Sequence, residues 1–110
     1  MKERKFEFGE VVETRAVNER CKKDKDFAKF ISHSFIRHIC GDWGDLDAED
    51  AELNERALKN GDARLFSAYI FNNETDEKIW IITEWDRSVT TILFPSDYRG
   101  GNNGRYFQHT

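Results

Sequence analysis

The stretch from Lys78 to Pro95, KIWIITEWDRSVTTILFP, constrains the fold more than any other part of the chain. It holds two runs rich in β-branched and aromatic residues, 79–83 and 89–94, separated by a short polar segment that is typical of a turn. Pro95 closes the second run because proline cannot donate to a strand ladder. The pattern predicts a β-hairpin, and the rest of the chain is expected to cover one face of it.

Length and charge limit the remaining possibilities. A chain of 110 residues favours one domain, predicted over residues 1–98, and the glycine- and asparagine-rich residues 99–110 are predicted to be a flexible tail. The net charge is −4, and residues 41–62 carry eight acidic and two basic side chains. This balance argues against direct binding of nucleic acid, which normally requires a basic face.

The two cysteines, Cys21 and Cys40, are expected to be free thiols. We find no secretory signal and no apolar stretch near membrane-spanning length, which favours a cytoplasmic protein without membrane contact. The oligomeric state stays open at this point.

Hydrophobic spacing predicts a first long helix. Five apolar residues share one helical face: Phe27, Phe30, Ile31, Phe35 and Ile39. Asp24 or Asp26 can cap this helix and Gly41 can end it. The polar residues 15–25 before it predict no more than a short helical turn at 16–20, and residues 6–14 predict a first strand.

A second helix and a further strand follow. Asp47 is a suitable N-cap, and Asn60-Gly61 is a natural C-terminal stop. Residues 64–71, RLFSAYIF, predict a strand in which Leu65, Ser67, Tyr69 and Phe71 share one face. Because both faces are rather apolar, helices should cover one side of the sheet and cover the other only in part. A partner could supply the second covering.

These elements give the order strand-helix-helix-strand-strand-strand. The short connections among the last three strands favour an antiparallel meander. The predicted fold class is α+β, a two-layer domain with an antiparallel β-sheet and helices on one face.

Catalytic and metal-binding patterns have little support in the sequence. His33 and His38 lie five residues apart, whereas a shared metal favours separations of three or four on a helix. They are expected to be ordinary surface or boundary histidines. We find no phosphate-binding loop, serine elbow or Cys-His signature, so the predictions are no catalytic residue, no metal, no cofactor and no enzyme activity.

The acidic segment around the second helix has three interpretations. It lacks the ligand alternation and glycine placement of a calcium loop. It could be only a solvated, well-capped helix, because the helix dipole favours negative charge at the N-terminus. It could also form an acidic ridge that occupies a basic groove built for DNA or RNA, since the field that steers phosphates also steers carboxylates.

Two tryptophans mark further candidate positions. Trp43 is expected to anchor its loop in the core, and Trp85 at the hairpin turn is the better candidate for exposure. An Asp86–Arg87 charge contact within the turn is the simplest role for the polar residues there. The residues predicted to contact a partner are Asp42, Trp43, Asp45, Asp47, Asp50, Glu84, Trp85, Asp86 and Arg87.

Four segments carry a resemblance to a known family: FEFGEVVETRAVNE, GDWGDL, LFSAYIF and KIWIITEWDRSVTTILFPSDY. They resemble small proteins encoded on plasmids, conjugative elements and phages of gut and Gram-positive bacteria. Members are labelled "plasmid-related protein" or "type I restriction endonuclease subunit M". No methyltransferase cofactor loop or catalytic motif is present here, so the second label is set aside. By analogy, an acidic protein of mobile elements is similar in kind to anti-CRISPR and DNA-mimicking anti-restriction proteins.

The leading hypothesis is a non-enzymatic inhibitor that binds a host nucleic-acid-processing protein, a defence nuclease complex, through an acidic protein–protein interface. The element order also resembles that of RelE/ParE-type toxins, which act on ribosome-bound mRNA or gyrase. Those that cleave mRNA usually need a strongly basic face, which this chain lacks. A small regulatory binding module is the third possibility.

Overall fold

The computed structural model describes residues 3–98 and 108–109. In chain order the elements are β1 (Glu10–Glu13), α1 (Arg15–Lys23), α2 (Lys25–Ile39), α3 (Ala48–Asn60), β2 (Leu65–Asn72), β3 (Glu77–Thr83), β4 (Val89–Leu93), a 3-10 turn (Pro95–Asp97) and β5 (Gln108–His109). The predicted α+β fold and the central hairpin, now β3 and β4, are confirmed. The predicted tail lies outside the described residues except for 108–109, whose backbone pairs with β1.

The sheet order is β2-β3-β4-β1-β5. Strands β2, β3 and β4 form the predicted antiparallel meander. β1, however, runs parallel to β4, so the sheet is mixed and the prediction of a wholly antiparallel sheet is corrected. Gly9 explains this entry point: with φ +65° it passes so close to the hairpin turn that a Cβ would lie 2.1 Å from the Ser88 carbonyl oxygen. β1 therefore starts at the same end as β4 and runs alongside it.

A full helix, α1, precedes the predicted long helix. α1 replaces the short turn predicted at 16–20, and the Thr14 hydroxyl caps it by accepting from the Val17 N–H at 3.3 Å. Val17 is the only buried residue of α1, so its apolar face was too thin to reveal a full helix. Asp24 caps α2, as predicted, by accepting from the Phe27 N–H.

The main core lies between α1, α2 and one face of the sheet. Its buried members are Val17, Phe27, Ile31, Tyr69, Ile79, Ile81 and Ile92. The predicted face of β2, with Ser67 and Tyr69 turned toward the helices, is therefore correct. Phe27 packs edge-on against Phe71, with ring centroids 5.2 Å apart.

His38 of α2 is fully buried, so its prediction as a surface or boundary residue was wrong. Thr90 Oγ1 donates to the Phe8 carbonyl at 2.7 Å, so it accepts from the Thr83 hydroxyl. Because Thr83 Oγ1 is a donor in that bond, it accepts from the His38 Nε2–H at 2.9 Å. His38 Nδ1 then accepts from the Ser67 hydroxyl at 2.6 Å. Burial lowers the pKa of His38 to about 3, which keeps the ring neutral.

α3 lies along the outer edge of β2 rather than over the centre of the sheet. Asp47 caps it by accepting from the Asp50 N–H at 2.8 Å, and Gly61 ends it at φ +68°, both as predicted. Its Ala57 packs with Trp43 and Leu65 in a second, smaller core. This placement leaves the other side of the sheet partly uncovered.

Candidate partner interface

The face of the sheet away from α1 and α2 exposes apolar side chains. Strand alternation and the β2–β3 register put six residues on this side, which we call the open face: Phe66, Ala68, Ile70, Lys78, Trp80 and Ile82. Phe66, Ile70 and Trp80 are only half-buried. Phe66 and Trp80 pack edge-on, with ring centroids 5.1 Å apart, and form an aromatic floor.

A groove of about 460 Å³ runs over this floor. Leu53 and Asp50 of α3 form one wall, and Arg64 and Tyr98 also line the groove. The Arg64 guanidinium donates to the Tyr98 hydroxyl at 3.2 Å. Leu53 is 54% exposed, so this part of the groove presents an apolar side chain to solvent.

A second hollow of about 240 Å³ continues the groove toward the other end of β2. The two share Asp50, Phe66 and Trp80. Three carboxylates line the second hollow, Asp45, Asp47 and Asp50, which we call the acidic rim. The structure therefore brings three of the predicted partner residues to one border of an apolar groove.

The three rim residues differ in what else they do. The Asp45 carboxylate accepts from the Ile70 N–H at 2.9 Å, and Asp47 caps α3. The Asp50 side chain is exposed and forms no hydrogen bond or ion pair with another described residue. Asp50 is thus the rim residue whose charge can be changed with least effect on the fold.

Two other residues predicted to contact a partner, Asp42 and Trp43, support the loop before α3. Asp42 accepts from the Arg37 guanidinium at 2.8 and 3.1 Å and from the Gly44 N–H at 3.1 Å. This pairing raises the pKa of Arg37. Trp43 is 6% exposed, as the anchoring prediction expected, and its Nε1 donates to Glu55 at 2.7 Å. This burial contradicts the prediction that Trp43 contacts a partner.

The residues of the hairpin tip, 84–88, line neither the groove nor the second hollow. Trp85 is 63% exposed, as predicted, but it lines neither hollow. The predicted Asp86–Arg87 charge contact has only a minor influence: Asp86 accepts from the Ser88 N–H and hydroxyl, and these bonds lower the pKa of Asp86 more than the charge of Arg87 does. Arg87 instead donates to backbone carbonyls, including that of Glu84 at 3.1 Å. Arg87 therefore stabilises the turn.

Sequence reasoning missed the groove residues on the open face and on α3. The available signal was the apolar character of both faces of residues 64–71, which predicted only partial cover on one side. Leu53 and Tyr98 could not be assigned to a groove from the sequence, because the residues that they meet there are distant in the chain.

The site combines an apolar floor with carboxylates at its border. Within residues 3–98 and 108–109, no three His, Cys, Asp or Glu side chains are placed to hold a metal ion. Cys21 and Cys40 are not joined in a disulfide, and burial raises the pKa of the Cys21 thiol. None of the helices among the described residues has the length and apolar character needed to span a membrane.

Comparison with protein-family models, with curated proteins and with solved structures gave no match in any of the three.

Proposed function

We propose that this protein is a non-enzymatic inhibitor that binds a host defence nuclease complex through the groove on the open face and its acidic rim. The observation that carries the proposal is the apolar floor of Phe66 and Trp80 bordered by the rim carboxylates. A few residues supply most of the energy at protein interfaces, and tryptophan is enriched among them, while charges at the edge favour a complementary partner. A nuclease presents basic surfaces to its nucleic acid, which suits an acidic border.

The hairpin tip gives weaker support to the same function. Trp85 is exposed and held on a turn that Arg87 braces, so it could supply a second, separate contact. Asp42 and Trp43 act behind the interface: they shape the loop that carries Asp45.

The function is tested by protection of phage in bacteria with an active restriction or CRISPR system. Expression of this protein should raise the plating efficiency of the phage on such a strain and leave it unchanged on a matched strain without the system. No rise on any defence-bearing strain would contradict the proposal.

The toxin alternative has a separate outcome in the same strains. Arrest of growth on expression, in the presence or absence of a defence system, would favour the RelE/ParE-like activity. If expression causes neither protection nor arrest, a regulatory binding module is favoured.

A further inference from the structure

We infer that the groove receives an amphipathic helix of the partner, with its apolar side on the open face and lysine or arginine residues against the acidic rim. This inference deepens the proposed function and depends on the same groove. Three features of the molecule support a helix with a basic flank as the occupant.

The first feature is the covered edge of β2. The Asn54 carboxamide pairs with the backbone N–H and C=O of Phe66, and the Trp43 carbonyl and Asp45 N–H pair with Ala68. The Asp45 carboxylate takes the Ile70 N–H. A partner strand cannot add to this edge because its backbone groups are already paired. The partner must therefore lie across the face and contact it through side chains.

The second feature is the length of the groove. Its floor follows β2 from Arg64 to Ile70, which at about 3.3 Å per residue spans roughly 20 Å. A helix of about 13 residues has the same length, at about 1.5 Å per residue. Its apolar residues at i, i+3 or i+4 and i+7 could meet Ile70, Trp80 and Leu53 in turn.

The third feature is the distribution of charge. The acidic rim lies on the α3 side of the groove, while the two basic lining residues are engaged within the chain. Lys78 pairs with Asp76 at 3.3 Å, whereas Arg64 donates to the neutral hydroxyl of Tyr98 and keeps its charge. Because three rim carboxylates stand against this one guanidinium, the net charge beside the floor is negative. An occupant with basic residues along one flank complements it, and an acidic occupant is repelled.

The experiment selects partners without reference to any host. A library of phage-displayed random 16-residue peptides is panned against the purified protein, and the selected peptides are measured by fluorescence anisotropy. Expected peptides share helical apolar spacing and carry lysine or arginine on one flank. Enrichment of alternating, strand-like peptides or of acidic peptides, or no enrichment, would overturn the inference.

Matched variants locate the binding. Leu53→Gln should weaken the selected peptides roughly tenfold, because it removes an apolar wall of the groove. Ile36→Gln is the control, since Ile36 is 57% exposed against 54% for Leu53 and lies on the outer side of α2. Equal effects of the two substitutions, or weakening by Ile36→Gln alone, would overturn the inference. Both are exposed, so both variants should keep the fold.

The outcome separates the inference from the proposed function. Selection of helical basic peptides, without phage protection, would support a helix in the groove and argue against a defence nuclease as the partner. Phage protection that persists in Leu53→Gln would support the inhibitor function and contradict binding of a helix in the groove.

Discussion

Asn54 of α3 pairs with the backbone of Phe66 in β2 as another strand would. Its Nδ2 donates to the Phe66 carbonyl at 2.5 Å, and its Oδ1 accepts from the Phe66 N–H at 2.9 Å. Asn54 is 3% exposed, so neither backbone group can turn to water instead. One side chain thus pairs the sheet edge at Phe66 and fixes the helix that forms the wall of the groove.

Replacement of Asn54 by alanine should lower the free energy of unfolding by about 2–3 kcal/mol, because it leaves a donor and an acceptor on β2 unpaired. Urea denaturation followed by circular dichroism measures the change. Glu52→Ala on the exposed side of the same helix is the control and should cost no more than about 0.5 kcal/mol. Equal loss in the two variants would contradict the role assigned to Asn54.

Two glycines with left-handed backbone should respond very differently to alanine. At Gly61, φ is +68° and a Cβ would meet nothing within 4 Å, so Gly61→Ala should cost about 1 kcal/mol. At Gly44, φ is +75° and a Cβ would lie 2.0 Å from the Ala68 carbonyl oxygen. Gly44→Ala should therefore cost several times more, roughly 3 kcal/mol or above. Thermal melts of the two variants make the comparison, and similar midpoints would show that the loop does not approach β2 this closely.

The buried histidine should make the protein sensitive to mild acid. The pKa of His38 falls from 6.5 to about 3 on folding, so between these pH values the unfolded chain binds the extra proton. Stability therefore falls as the pH decreases through this window, by at most about 5 kcal/mol. Denaturation measured at pH 7 and pH 4.5 should show a smaller pH effect in His38→Gln than in the natural protein. His33→Gln, at an exposed position, should keep the full effect; a loss of the effect there would contradict the assignment.

Replacement of Arg87 by lysine should destabilise the protein. The Arg87 guanidinium donates to the carbonyls of Ala63 at 2.7 Å, Trp85 at 3.2 Å and Ala57 at 3.3 Å, which joins the hairpin turn to the end of α3. A lysine ammonium cannot reproduce this fork, so Arg87→Lys should cost about 1–3 kcal/mol. Arg56→Lys, at an exposed position on α3, is the control and should be close to neutral in the same chemical denaturation. An Arg87→Lys variant as stable as the control would show that these carbonyls do not depend on the guanidinium.

Local signals in the sequence predicted much of the fold. The hairpin, the caps at Asp24 and Asp47 and the stop at Gly61 all depend on neighbours within a few residues, and the structure confirms them. The parallel pairing of β1 was not predictable in this way. It depends on the close approach of Gly9 to Ser88, which are distant in the chain.

The site was predicted only in part, for the same physical reason. An acidic segment is visible in sequence, but whether each carboxylate faces a partner or the protein's own backbone depends on packing. Asp45 and Asp50 illustrate this: one bonds the backbone of β2, and the other is exposed on the groove. The burial of His38 likewise depends on hydroxyls from three strand positions that only the folded sheet brings together.

The measurement that tests the central claim most directly is affinity capture of the tagged protein from a bacterial lysate with active restriction and CRISPR systems. The natural protein is compared with Asp50→Lys and Glu52→Lys, which change the charge equally on opposite sides of α3. We expect the natural protein and Glu52→Lys to retain a defence nuclease at low salt and to lose it at high salt, and Asp50→Lys to retain little of it. Equal capture by all three proteins, or capture of ribosomes or gyrase instead, would contradict binding through the acidic rim of the groove.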